Sequence, residues 1–200
     1  MTTPTLQSAP QQCTAFAGTR RLATGSLGTV AIAVKQVCDG GETASILVFD
    51  DHTSQPIEFD LRGSVADVLQ RLPAAQPADD AGEDDQPRGR GRPRLGVVAR
   101  EVTLLPRHWD WLATQPGGAS VALRKLVEEA RRANDDADRK RLSQEASYRF
   151  MAAMAGNEAG FEDATRALFA GNRAAFEAST DNWPVDVRDY ARQLAMVALW

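Results

Sequence analysis

Arg88, Arg90, Arg92 and Arg94 alternate with Gly89, Gly91 and Pro93 in RGRGRPRLG, residues 88–96. That pattern suits a narrow groove of negative potential. Glycine lets the backbone approach the groove floor, proline fixes an extended direction, and guanidinium groups reach sideways into the field. Such a combination fits the minor groove of A·T-rich DNA. The opposing reading is a linker kept soluble by its charge. The acidic run DDAGEDD lies just upstream at 79–85, where it can fold back on the arginines and weaken non-specific binding. The charge along the chain favours the first reading. Residues 1–87 hold five basic and twelve acidic side chains, a net of −7, and residues 135–200 hold eight against eleven, a net of −3. Between them, residues 88–134 hold ten against four, a net of +6 that the whole-chain value of −4 conceals. A basic centre between acidic flanks is the local footprint expected of a nucleic-acid binder.

Within that centre, Arg90, Gly91, Arg92 and Pro93 resemble the AT-hook of chromatin proteins and the GRPR arm of Hin-type DNA invertases. A second basic set lies just downstream of the arginines. VVAREVTLLP reads as a strand closed by Pro106, RHWDWLATQ as a short helix stopped at Pro116, Gly117 and Gly118, and SVALRKLVEEARRAND as a longer helix with Ser120 as its N-cap. This order resembles the ribbon-helix-helix family over about thirty residues. The resemblance implies that two chains pair their strands into a ribbon that enters the major groove. It also implies that the second helix holds a phosphate at its N-terminus, with Ser120, Arg124 and Lys125 nearby. Trp109, Leu112, Leu123, Leu126 and Val127 would then be core. The ribbon itself is poor in polar groups: Arg100, Val102 and Leu104 share one face, Glu101, Thr103 and Leu105 the other. In one register Val102 and Leu104 face the bases; a shift by one residue presents Thr103 instead and brings Glu101 near phosphates. Neither register reads bases strongly, so the arginines must supply much of the grip.

Other chemistry is thin. Asp50, Asp51 and His52 adjoin on a turn but do not converge on one ion without further ligands, and they read as a polar surface turn. Cys13 and Cys38 have no metal-ligand spacing and read as reduced, structural thiols. No nucleophile elbow, phosphate loop or dinucleotide fingerprint is present, so neither an enzyme activity nor a cofactor or metal is expected. Phe150, Phe161, Phe169, Phe176, Trp183 and Tyr190 could line a ligand cavity, but core packing is the default. Glu162, Asp163 and Glu177 read as a solvated face.

The elements that must position these groups give an α+β fold. Residues 1–12 are polar and read as a disordered tail. Residues 13–73 read as a small α/β domain: a strand at CTAFAG, then GSLGTVAIAVKQVCDGG, which fits a helix capped by Ser26 but is β-branched enough to fit a strand. Next come a β-hairpin from ASILVFD and PIEFDLRG across DHTSQ, and a helix at SVADVLQRLP with capping-box spacing between Ser64 and Asp67. Residues 74–96 lack the apolar side chains to build a core and read as a flexible acidic and basic linker. Residues 97–134 form the ribbon-helix-helix-like segment, and 135–200 a C-terminal helical bundle.

The chain as a whole resembles the uncharacterised bacterial family catalogued as domain of unknown function 2239. FDLRGS at 59–64, GRPRLGVVAREVTLLPRHWDWLATQPGGASVALRKLVEEAR at 91–131, ATRALFAGNRAAFEA and WPVDVRDYA carry the resemblance. It implies an architecture and no mechanism. The expectation is a cytoplasmic homodimer that binds double-stranded, A·T-rich DNA as a transcriptional regulator or nucleoid-associated factor. The alternative is a protein-interaction or small-ligand module whose ribbon only dimerises. No apolar run approaches the roughly 20 residues of a membrane span, and the N-terminus shows no export signal.

Overall fold

The computed structural model describes residues 11–73 and 100–200. Strands β1 (Gln12–Ala17), β2 (Arg20–Ser26) and β3 (Ile46–Asp50) form one antiparallel sheet in the order β2-β1-β3. β1 is central, and Cys13 to Ala17 are buried on both of its faces. Alternation therefore feeds two cores at once. Cys13 and Ala15 pack with Val30, Val34 and Val48, while Phe16 packs with Phe49, Phe150, Met151, Leu168 and Tyr190.

The first core is closed by α1 (Leu27–Asp39), whose Ser26 cap accepts from the Thr29 amide. The helix wins over the strand reading there because the cap and the spacing of Val30, Ala31 and Val34 put one buried face on the sheet. α2 (Val65–Arg71) carries the full capping box: Ser64 Oγ accepts from the Asp67 amide and the Asp67 carboxylate from the Ser64 amide.

Two expectations about strands need correction. RRLATGS, unassigned from the sequence, is β2. The hairpin expected from PIEFDLRG is reduced to a single bridge between Phe49 and Pro56, with Ile57 N–H donating to Val48 at 2.8 Å. Pro56 has no N–H to extend the ladder. The chain then leaves the sheet edge so that Ile57, Phe59 and Leu61 can pack on the first core.

The second core is built by helices. α3 (Pro106–Ala113) precedes α4 (Gly118–Met154), a single helix of 37 residues where two are expected from the sequence. Asn134, Asp135 and Asp136 are weak helix formers but none breaks a helix, and flanking charge pairs such as Arg131–Glu128 and Arg141–Asp138 support it. α5 (Phe161–Ala170), α6 (Arg173–Thr180), α7 (Val185–Leu194) and the short α8 (Met196–Leu199) complete the chain. Phe150, Phe176, Trp183 and Tyr190 are buried, as core packing requires, but Phe169 lies outside at 52% exposure, tilted against Tyr148. Phe16 and Phe49 belong to the same buried cluster, so residues 13–73 and the C-terminal helices share a core. By contact the chain divides into two units, residues 1–78 with 137–200, and residues 79–136.

One joint between helices is sterically exacting. Gly160 sits at φ +86°, and a Cβ there would lie 2.4 Å from the Ser179 carbonyl oxygen. Gly41 has nearly the same φ, +85°, with nothing within 4 Å. Gly41→Ala should therefore cost only the left-handed penalty, about 1 kcal/mol. Gly160→Ala should cost more, about 3 kcal/mol, because backbone must move as well. Urea unfolding of the two variants checks this; equal losses would remove the clash from the account.

Candidate nucleic-acid interface and a buried polar hub

Of the groups expected to touch DNA, Arg88, Arg90, Gly91, Arg92, Pro93 and Arg94 lie outside the described residues. Arg100 and Thr103 are described and exposed, and residues 100–105 form no strand in the single chain. The strand expected there is not formed: residues 100–105 join neither the sheet nor a bridge among the described residues. Leu105 instead serves as the extended N-cap of α3, with Pro106 at the first helical position.

Ser120 is not the N-cap of its helix. α4 begins two residues earlier at Gly118, after Gly117 at φ +84° turns the chain. Ser120 thus lies in the first turn, where its Oγ accepts from an Arg124 guanidinium NH2 at 3.0 Å. These two predicted residues are brought together one turn apart; Lys125 is exposed too but lies about 140° round the helix from Ser120. Arg100, Arg107, Arg124 and Lys125 take part in no ion pair among the described residues. Arg131 and Arg132 differ, since both meet Glu128, at 2.8 and 3.4 Å.

The other side of the same turns is apolar. At 100° per residue, Ala119, Ala122, Leu123, Leu126, Val127 and Ala130 share one face. Of the core expected here, Leu112 is buried; Ala122 of α4 is buried as well. Leu126 is 43% exposed, Val127 63% and Trp109 42%. No residue of α4 from Leu123 to Glu145 is buried. An amphipathic helix gains most of its stability by covering its apolar face, and this face is exposed in the described residues.

A different polar cluster lies inside the first unit and joins segments far apart in the chain. Asp50 Oδ1 caps the turn after β3, accepting from the amides of His52 and Thr53 at 3.0 and 2.8 Å and from Thr53 Oγ1 at 2.9 Å. That turn points Asp51 inward, where its Oδ1 accepts from Thr14 Oγ1 at 2.7 Å and Tyr190 Oη at 2.8 Å. Thr14 also meets Thr24 Oγ1 at 3.0 Å. Asp51 is thus an anchor and no surface turn residue; only His52 of the trio is fully exposed. A β1 threonine facing a core should have flagged a buried acceptor, but the acceptor is 37 residues away and Tyr190 is 139 from Asp51. Among the described residues no group of three or more His, Cys, Asp and Glu could hold a metal ion. No helix among them is long and apolar enough to cross a membrane.

The pattern of the family described as an uncharacterised protein conserved in bacteria, domain of unknown function 2239, matches residues 12–195. No curated protein and no solved structure matches the chain.

The hub sets a pH dependence. Burial, with the carboxylates of Asp51 and Asp50 adding to it, pushes the Cys13 thiol up to about 11. Burial and then the bond to Asp51 hold Tyr190 above the ordinary tyrosine range. Both groups stay protonated in the fold where the unfolded chain would release its protons. The contribution of Cys13 is complete below about pH 9 and is lost as pH rises through 11, and that of Tyr190 begins to be lost from about pH 10 upward, each at up to about 1.4 kcal/mol per pH unit. Urea midpoints taken between pH 8 and 11 should fall, and Tyr190→Phe should flatten the part above pH 10. A level profile in the parent chain would contradict the buried, protonated hub.

Proposed function

We propose that this chain, which belongs to that bacterial family, is a dimeric DNA-binding protein, a regulator or nucleoid-associated factor that grips A·T-rich duplex through an arginine arm and phosphate contacts. One observation carries the reading: the first turns of α4 separate an exposed apolar face from a basic one. Leu126 and Val127 lie on the first, Arg124 and Lys125 on the second, and Ser120, seven residues before Val127, stands at the border between them, bonded to Arg124. A second copy covers the apolar face, with residues 100–105 of each chain pairing into a ribbon. The opposite face then meets the sugar-phosphate backbone. Arg88, Arg90, Arg92 and Arg94 enter the minor groove beside it, with Gly91 and Pro93 shaping their path. Arg100 adds charge, and Thr103 is the one hydroxyl the ribbon can offer to base edges. Affinity in this arrangement is mostly electrostatic, so it falls steeply with salt.

Two measurements test it. In gel shifts on A·T-rich and G·C-rich duplexes, from about 50 to 200 mM salt, Arg90→Ala/Arg92→Ala should abolish the A·T preference. Arg124→Ala/Lys125→Ala should weaken both duplexes alike and lower the salt slope by about 1 per lost phosphate contact. In light scattering, Leu126→Asp/Val127→Asp should convert a dimer into a monomer. Binding indifferent to both charge changes sinks the DNA reading. A dimer that binds no duplex at low salt favours a protein-interaction or small-ligand module instead.

A further inference from the structure

Where the chain departs at Ile57, part of β3 is left as an open sheet edge. Ser45, Leu47, Phe49 and Asp51 turn their backbone groups toward β1. Gly18 N–H donates to the Ser45 carbonyl at 2.9 Å and Asp51 N–H to the Gln12 carbonyl at 3.0 Å, with Leu47 and Phe49 in register between them. Ile46, Val48 and Asp50 therefore turn theirs outward. There Asp50 N–H donates to the Gln55 carbonyl, and the Val48 carbonyl accepts from Ile57 N–H. The N–H and C=O of Ile46 and the N–H of Val48 have no partner among the described residues. Val48 is only 5% exposed, and a buried N–H without an acceptor is rare in folded proteins.

Beside these groups lies an apolar cleft of about 370 Å3, lined in part by Ile46 and Val48 themselves. Val34, Ile57, Phe59 and Leu61 supply further walls, and all four belong to the first core. Of the lining residues Glu58 alone is charged, and it makes no ion pair among the described residues. A small apolar molecule would fill the cleft but would not match a donor, an acceptor and a second donor spaced along extended backbone. A second copy of β3 fits poorly, because its own Val48 carbonyl is already engaged. An extended peptide does match. Laid along β3 in either direction, it accepts from Ile46 and Val48 and donates to Ile46. Its residues opposite Ile46 and Val48 share their face, so alternate side chains turn toward the cleft. Glu58 favours basic over acidic residues in the same segment.

We propose that the open half of β3 binds an extended, basic peptide segment of a partner protein, apolar at every second position, as a fourth strand of the sheet. The site lies apart from the duplex-facing residues, and its test needs no DNA. Labelled heptapeptides Lys-X-Thr-X-Thr-X-Lys, with X as Val, Leu or Phe, are titrated with the full chain by fluorescence anisotropy. At least one should bind saturably, and its twin with Glu in place of Lys about 3-fold more weakly. Glu58→Lys, at an exposed position, should reverse that order. Alternate N–H groups of a strand face opposite edges, so N-methylation of every X and of every Thr should differ in effect. One set should lose about 10-fold, the worth of one hydrogen bond, and the other should not. In hydrogen exchange read by NMR, the Ile46 and Val48 amides should slow when peptide is added. Silence from all three lysine peptides overturns the proposal, as does loss from both methylated sets or from neither. An order unchanged by Glu58→Lys, or binding that leaves both amides unprotected, overturns it too. So does a chain that protects those amides by self-association without peptide.

Discussion

A three-stranded sheet whose central strand is buried on both faces cannot stand alone. β1 presents Cys13 and Ala15 to one side and Thr14 and Phe16 to the other, and each side needs a cover. α1 supplies the first. The second must come from the far end of the chain, because the residues between β3 and α2 are committed to the α1 side through Ile57, Phe59 and Leu61. Phe150 and Tyr190 take up that position, with ring centroids 5.4 and 5.5 Å from Phe16 and 4.7 Å from each other. Dispersion alone would tolerate several rotations of such aromatic packing. The two hydroxyls that converge on Asp51 admit one, since a half-buried carboxylate that loses its donors is costly. The hub thus converts an apolar contact into a specific one.

The same hub explains why the turn after β3 is so heavily bonded. Ser54 adopts φ 51°, a left-handed conformation that L residues seldom take. Asp50 holds it there through three bonds to residues 52 and 53. The turn also receives an Arg149 guanidinium at the Thr53 carbonyl. Local strain is accepted so that Asp51, one residue on from the cap, reaches Thr14 and Tyr190.

Much of the local structure was legible in the sequence because its causes are local. Ser26, and Ser64 with Asp67, announced the starts of α1 and α2, and the apolar spacing in each helix agreed with its cap. β2 was hidden because RRLATGS has little alternation; it pairs with β1 through its backbone and lets Leu22 and Ala23 reach the core. The second hairpin arm was over-read because Pro56 ends a ladder that side-chain pattern alone would extend. Ser120 was misplaced as a cap because two glycines ahead of it allow the helix to begin sooner. Among the candidate site residues, the pairing of Ser120 with Arg124 follows from four-residue spacing and was foreseeable. The Asp51 hub was not, since it joins three segments that no sequence period connects.

Continuity of α4 adds a geometric constraint. Its C-terminal half buries Ala146, Ser147, Phe150 and Met151, while its N-terminal half gathers Ala119, Leu123, Leu126 and Val127 on one side. The two halves fall in different units of the chain. Between them the helix is held by i,i+3 and i,i+4 pairs such as Arg131–Glu128 and Arg141–Glu145, each contributing about 0.2–0.5 kcal/mol. That suffices to keep the helix formed but not to offset Leu126 and Val127 in water. Burial of those two side chains in a partner's identical face would recover about 1.5–3 kcal/mol each, and a two-fold arrangement would recover it twice. The energetic case for a second copy thus rests on the helix itself and is independent of what its opposite, basic face contacts.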